Sequence, residues 1–166
     1  MSLSTLLPTP QLAPIMHLTV HVAQPIEAGH ITHALGAGKR RIIPITGGQV
    51  TGSARGQSLN GEVLPGGADF QLVTSSTAAQ LDARYIIRLT DGSHIYITNQ
   101  AIRTGSERDI AALVRGESVP PERIYFRCAP SFEVEREDLT WMTQTLFIGS
   151  GARFPDRVEM VFYEVK

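Results

Sequence analysis

The chain is poor in the features that announce most chemistries. It has one cysteine, Cys128, in 166 residues, which excludes an internal disulfide and a cysteine zinc cage and fits a reducing compartment. A lone thiol of this kind reads as a small buried hydrophobe. Charge of either sign is scarce: fifteen Lys and Arg stand against sixteen Asp and Glu, scattered apart from Arg40-Arg41 and the Lys39 before them, with no stripe to track phosphates. Nucleic acid is not an expected partner. The chain has no stretch of about 18 apolar residues and no basic leader before an apolar core. The expectation is a cytoplasmic protein with no membrane partner.

Familiar catalytic signatures are missing too. The sequence shows neither a Gly-x-Ser-x-Gly elbow nor a cysteine and histidine pairing. Gly47-Gly48 and Gly66-Gly67 lack the helix and lysine that follow a nucleotide loop, so they read as bends and turns, and no cofactor is expected. His17 and His21 share a strand face but stand about 13 Å apart, too far for one ion. His30 and His33 sit in a segment that supplies no third ligand. No metal is expected.

What is abundant is alternation punctuated by glycine. Met16, Leu18, Val20 and Val22 fall on one face of a first strand, and Leu81, Ala83, Tyr85, Ile87 and Leu89 on one face of another. Asp91-Gly92 then leads straight into Ser93 to Arg103, the strongest short hairpin signal available; in that arm Ile95, Ile97 and Asn99 share a face. Arg41 to Arg55 carries Pro44, Gly47, Gly48 and Gly52, which mark bulges and bends in a strand that must curl. Ser58 to Leu64 and Ala68 to Ser75 are expected as strands joined in a hairpin by Pro65-Gly66-Gly67. Pro25 to Gly38 reads as a flexible crossing loop and a candidate lid. Ser106 to Arg115 is the one clear helix, capped by Ser106 and stopped by Gly116. Ile124 to Val134, Thr143 to Ile148 and Arg157 to Val165 are expected to complete the strands, with Gly149 and Gly151 at a corner and a single turn carrying Trp141.

These elements predict an all-β fold: a single antiparallel β-barrel of about eight to nine strands with one short helix. Residues 1–15 are expected as a flexible tail and residues 16–166 as one domain. A chain of this length buries roughly two thirds of its unfolded surface without disulfide or metal. A barrel of about eight strands has room for one small ligand.

Four blocks carry a family resemblance: Arg41-Ile42-Ile43-Pro44-Ile45-Thr46-Gly47-Gly48, Leu64-Pro65-Gly66-Gly67-Ala68-Asp69-Phe70, Leu81-Asp82-Ala83-Arg84-Tyr85 and Tyr125-Phe126-Arg127. With them the chain resembles the bacterial and fungal domain-of-unknown-function family numbered 3237, from about Met16 to Val165. The resemblance implies a single-domain barrel of lipocalin-like type and assigns no chemistry. Where that family's Pro-Gly-Gly-Ala-Asp block usually continues with tryptophan, this chain has Phe70, which implies a different ligand preference if that ring lines the cavity.

Function must then come from polar residues on half-buried strands. Asp69 is the candidate acid or base; Arg41, Phe70, Arg84, Tyr85, Asn99, Tyr125, Arg127 and Trp141 are the candidate ligand contacts. A buried charge is costly unless paired, so such groups serve either structure or a ligand. Three functions stay open: a carrier of a small, partly apolar metabolite; a cofactor-independent isomerase or cyclase using Asp69 with Tyr85 and Arg127 as oxygen-binding groups; or an assembly module with a filled barrel, forming a homo-oligomer. Asp69 also has a bland reading as a residue tying down a turn, and Asp82 with Arg84 as a solvated pair.

Overall fold

A computed structural model describes residues 7–166 of the protein. Its strands are β1 (Leu12–Val22), β2 (Ile26–His33), β3 (Gly36–Ala54), β4 (Gln57–Ser58), β5 (Gly61–Val63), β6 (Ala68–Ser75), β7 (Ala78–Leu89), β8 (His94–Thr104), β9 (Tyr125–Val134), β10 (Phe147–Arg153) and β11 (Arg157–Val165). Helix α1 (Glu107–Val114) stands between β8 and β9. All pairings are antiparallel. Strands β7 to β11 pair in chain order, β11 pairs with β1, and β1 pairs with β3, so the sheet closes into a ring. No helix among the described residues is long and apolar enough to cross a membrane.

The long strand β3 is the splint of the ring. Its first half pairs with β2 and β6, and its second half with β1, β4 and β5. Glycine is required where β1 crosses it: a Cβ on Gly48, whose φ is +149°, would lie 2.1 Å from the Thr19 carbonyl oxygen. The backbones meet there without side chains between them.

Three expectations are corrected. Pro65-Gly66-Gly67 is no hairpin turn, because β5 and β6 lie end to end between β3 and β7 and do not pair with each other. Val63 faces Gly48 and Ala68 faces Pro44, so one strand gains a residue on its neighbour, a bulge that tightens the local twist. Residues 25–38 form β2 and the start of β3, joined in a two-strand arm rather than a loop. No residue of β2 is buried, and among the described residues the strand pairs with β3 alone. Gly149 and Gly151 lie inside β10, and the corner falls at Phe154–Asp156. A Cβ on Gly151 would press 2.8 Å from the Phe126 ring, so glycine serves packing there. Of the expected tail, residues 1–6 lie outside the described residues, and Leu12 already pairs with Val165.

Helix α1 forms as expected. The Ser106 hydroxyl oxygen accepts a hydrogen bond from the Asp109 amide at 3.1 Å, satisfying one of the free N–H groups of the first turn. Gly116 ends it with φ of +80°. The Asp109 carboxylate turns to Arg123.

Leu18, Leu59, Ile87, Ile95, Ile97, Leu139 and Phe162 are fully buried, and each such side chain contributes roughly 1.5–3 kcal/mol. One end of the barrel is filled by aromatic rings: Phe132 meets Phe147 edge to face at 4.9 Å, and Trp141 packs 5.9 Å from Phe147. The 3-10 turn Glu137–Thr143 covers this end with buried Leu139 and Met142. The other end, beneath α1, is built differently.

Candidate functional site

Alternation decides which side chains enter the barrel. On β6, Asp69 and Gln71 point inward; on β7, Leu81, Ala83 and Tyr85; on β8, Asn99, Ala101 and Arg103. With Val20, Ile43, Ile45, Val158 and Met160 they line an inner cavity of about 40 Å³. Toward α1 lies a second space, a mouth of about 300 Å³, walled by Arg41, Pro25, Leu113, Val114 and Arg115 and sharing Ile43, Arg103 and Arg153 with this throat.

The polar groups in this space are incompletely paired. Asp69 accepts hydrogen bonds from the Gln71 amide nitrogen at 2.7 Å and from the Asp82 backbone N–H at 3.1 Å. Asn99 donates to the Met160 sulfur at 3.5 Å. The Gln71 Oε1, Tyr85 hydroxyl, Asn99 Oδ1 and Arg103 Nε atoms are buried and have no partner among the described residues. Native interiors leave few such atoms unpaired, and these four line one cavity.

Burial sets the protonation of the site. It raises the Asp69 carboxyl above the usual carboxylate range, against the lowering effect of the Gln71 hydrogen bond and the Arg103 charge. Burial likewise pushes the Tyr85 hydroxyl well above its ordinary value, so it stays protonated. The Arg103 guanidinium, 5% exposed, is brought down to about 10 by desolvation, opposed by Asp69 and reinforced by Arg153 and Arg41. Cys128 is raised to about 12 by burial, which leaves it a thiol.

Of the residues singled out in the sequence, Asp69, Tyr85 and Asn99 meet in the throat, and Arg41 stands at the mouth. The others do not join them. Phe70, Arg84, Tyr125 and Arg127 face outward, because each neighbours an inward residue on a strand of period two. Phe70 is 39% and Tyr125 54% exposed; Arg84 pairs with Asp82 on the outer surface at 3.0 Å; and Arg127 donates to the Phe126 carbonyl at 3.0 Å. The Phe70 ring therefore does not line the cavity. Trp141 lies at the opposite, filled end, with the Arg55 guanidinium 4.1 Å above its ring. Gln71, Arg103 and Arg153 belong to the site and were not anticipated. The signal for two of them is plain: Gln71 follows Asp69 by two, and Arg103 extends the face of Ile95, Ile97 and Asn99. Among the described residues no three His, Cys, Asp or Glu side chains gather as metal ligands.

A closed antiparallel barrel with a polar-bottomed throat beneath a short helix defines the class. The chain belongs to the family described as "Protein of unknown function (DUF3237)", whose pattern matches residues 10–165. The UPF0311 protein RPA1785 of Rhodopseudomonas palustris is 39% identical over 158 residues, which cover 95% of this chain and 98% of that protein. Its crystal structure superposes with a TM-score of 0.85 over 97% of this chain and all of that one, at 38% identity. A protein of Acinetobacter baumannii described as beta-barrel like gives a TM-score of 0.81 at 36% identity, covering 98% of this chain and 100% of that one. A structure described as an enzyme from Penicillium herquei shares the fold alone, with a TM-score of 0.60 at 15% identity over 99% of this chain and 100% of that one.

Proposed function

We propose that the protein binds a small, partly apolar metabolite at the α1 end of the barrel, its body in the mouth and one end in the throat. The supporting observation is the convergence of four unpartnered buried polar atoms, on Gln71, Tyr85, Asn99 and Arg103, in one cavity that also holds Asp69 and Arg153 and is otherwise walled by apolar side chains. Leaving such atoms unpaired costs about 1–3 kcal/mol each, a cost that a ligand's own donors and acceptors relieve. The throat alone is too narrow for more than a small group, so most of the ligand sits in the wider mouth.

A second reading rests on Asp69. A carboxyl raised by burial and facing a cavity is suited to take or give a proton, and the neutral Tyr85 hydroxyl and the Arg103 guanidinium line the same throat as oxygen-binding groups. Arg103 takes the part expected of the outward-facing Arg127. In this reading Asp69 accepts a proton from a carbon or hydroxyl of the bound molecule while the charge left on its oxygen is held by Arg103 and Tyr85.

One experiment separates the readings. Purified protein is denatured and extracted for mass spectrometry, and wild type and Asp69→Asn are screened by thermal shift against a metabolite library, since a ligand for the folded state raises Tm. A ligand bound by both proteins and recovered unchanged establishes a carrier. One consumed by wild type and retained intact by Asp69→Asn establishes proton-transfer catalysis. No shift with any compound in either protein favours a filled barrel that serves assembly.

A further inference from the structure

We infer that the ligand carries a carboxylate, held at the barrel mouth between Arg103 and Arg153 with Arg41 beside them. This rests on the reading of the cavity as a binding site and names the chemical class it takes. Four arginines border the same opening: Arg41, Arg103 and Arg153 from β3, β8 and β10, and Arg115, which pairs with Glu117 at 2.7 Å. Arg103 and Arg153 wall both the throat and the mouth.

Their partners within the protein do not account for all of them. Arg41 is satisfied by Glu27, whose carboxylate accepts from its Nε at 2.7 Å. Arg153 donates to the Arg157 carbonyl at 3.3 Å and has no carboxylate within ion-pairing distance among the described residues. Arg103 has none either, and its Nε is unpartnered while the residue is 5% exposed. Desolvating a guanidinium without a counter-charge is among the costliest arrangements a fold tolerates.

Asp69 is the one carboxylate in the throat, and it is turned to Gln71 and the Asp82 amide, without an ion pair to Arg103. Burial, which favours its protonated form, further withdraws it as a counter-charge. Arg41 and Arg115 are matched by Glu27 and Glu117, so Arg103 and Arg153 carry the positive surplus that a bound anion balances. The mostly apolar walls of the adjoining throat suit an organic acid rather than inorganic phosphate. The planar fork of a guanidinium suits the two oxygens of a carboxylate. With its carboxylate between Arg103 and Arg153, where throat and mouth share walls, the ligand's body lies in the mouth against Pro25, Leu113 and Val114, and only a small apolar end reaches Val20, Ile45, Val158 and Met160.

The test uses matched acid and amide probes, which share shape and differ in charge: benzoate and benzamide, 2-naphthoate and 2-naphthamide, hexanoate and hexanamide. Each is titrated by calorimetry into wild type, Arg103→Gln, Arg153→Gln and, as an outward-facing control, Arg127→Gln. The expected result is that at least one acid binds wild type about ten- to a hundredfold more tightly than its amide. Arg103→Gln and Arg153→Gln each remove most of that preference without weakening amide binding, and Arg127→Gln keeps it. If Arg103→Gln fails to fold, Arg153→Gln carries the same comparison. Equal binding of acid and amide, or a preference that survives both substitutions, overturns the carboxylate and leaves the binding site standing. Absence of saturable binding by all six probes overturns the carboxylate and the binding site together.

Discussion

At the end of the barrel covered by the turn Glu137–Thr143, Phe132, Phe147 and Phe162 meet ring to ring, and the nearly buried Glu164 carboxylate is matched by Arg55 at 2.5 Å. At the α1 end the same alternating strands deliver Asp69, Gln71, Asn99 and Arg103 into a space with unpaired donors and acceptors. β8 runs through both, with Ile95 and Ile97 packed in the core and Asn99 and Arg103 in the cavity. The difference teaches that one strand pattern supports two purposes. Hydrophobic closure at one end supplies the stability that lets the other end hold groups the fold alone does not satisfy.

The comparison breaks if the filled end does not dominate stability. Phe162→Ala, at a fully buried position against Phe132, is expected to cost about 3–5 kcal/mol in urea unfolding; a loss below about 1 kcal/mol would place the anchor elsewhere. At the open end the sign reverses. Arg103→Met replaces a buried, unpaired charge with an apolar chain and is expected to stabilise the ligand-free protein by about 1 kcal/mol or more, read as a raised denaturation midpoint. A destabilised variant would mean that Arg103 is held by the fold and not kept for a ligand.

Asp69 sharpens the contrast through pH. Its folded carboxyl titrates above its unfolded value, so the folded state binds more protons between the two and loses stability as pH rises through that window. Asp69→Asn removes this titration. The stability difference in favour of the Asn variant is expected to grow as pH rises from about 4 and to level off once the folded carboxyl is ionised. A difference that stays flat with pH would refute the burial of that charge. The smallest effect is expected at Tyr85→Phe, which removes a buried hydroxyl with no partner: the ligand-free protein is stabilised by about 1 kcal/mol, alongside weakened binding of whatever ligand the library screen yields.

The barrel was legible because period-two alternation and turn chemistry are local. The strand from Gln80, the Asp91-Gly92 turn and the capped helix follow from neighbouring residues, and the structure places them within a few positions. Pro65-Gly66-Gly67 was misread because glycine after proline suits a reversing turn and a bulge alike, and the choice depends on partners on β3 and β7 far along the chain. The site was half legible. Asp69 and Phe70 are consecutive, as are Arg84 and Tyr85, and no strand puts two consecutive side chains into one cavity. Parity alone therefore allows one member of each pair inside. Which member enters depends on register, as does the convergence of Arg103 with Arg153 across β9, and no sequence pattern displays it.

The seam where β1 joins β11 and β3 also sets the order of assembly. Thr19 hydrogen-bonds Glu159 across it at 2.9 Å, a contact between residues 140 positions apart, whereas the β7 and β8 arms meet through a turn of a few residues. Closing a long loop costs entropy before its contacts form, and chains rich in such contacts fold slowly. The β7–β8 hairpin is the expected nucleus and the seam the last joint to lock. Until it does, β1 and β11 each present an unpaired edge, so crowding a refolding solution should trap the protein as strand-paired aggregates at that step rather than as unfolded chain.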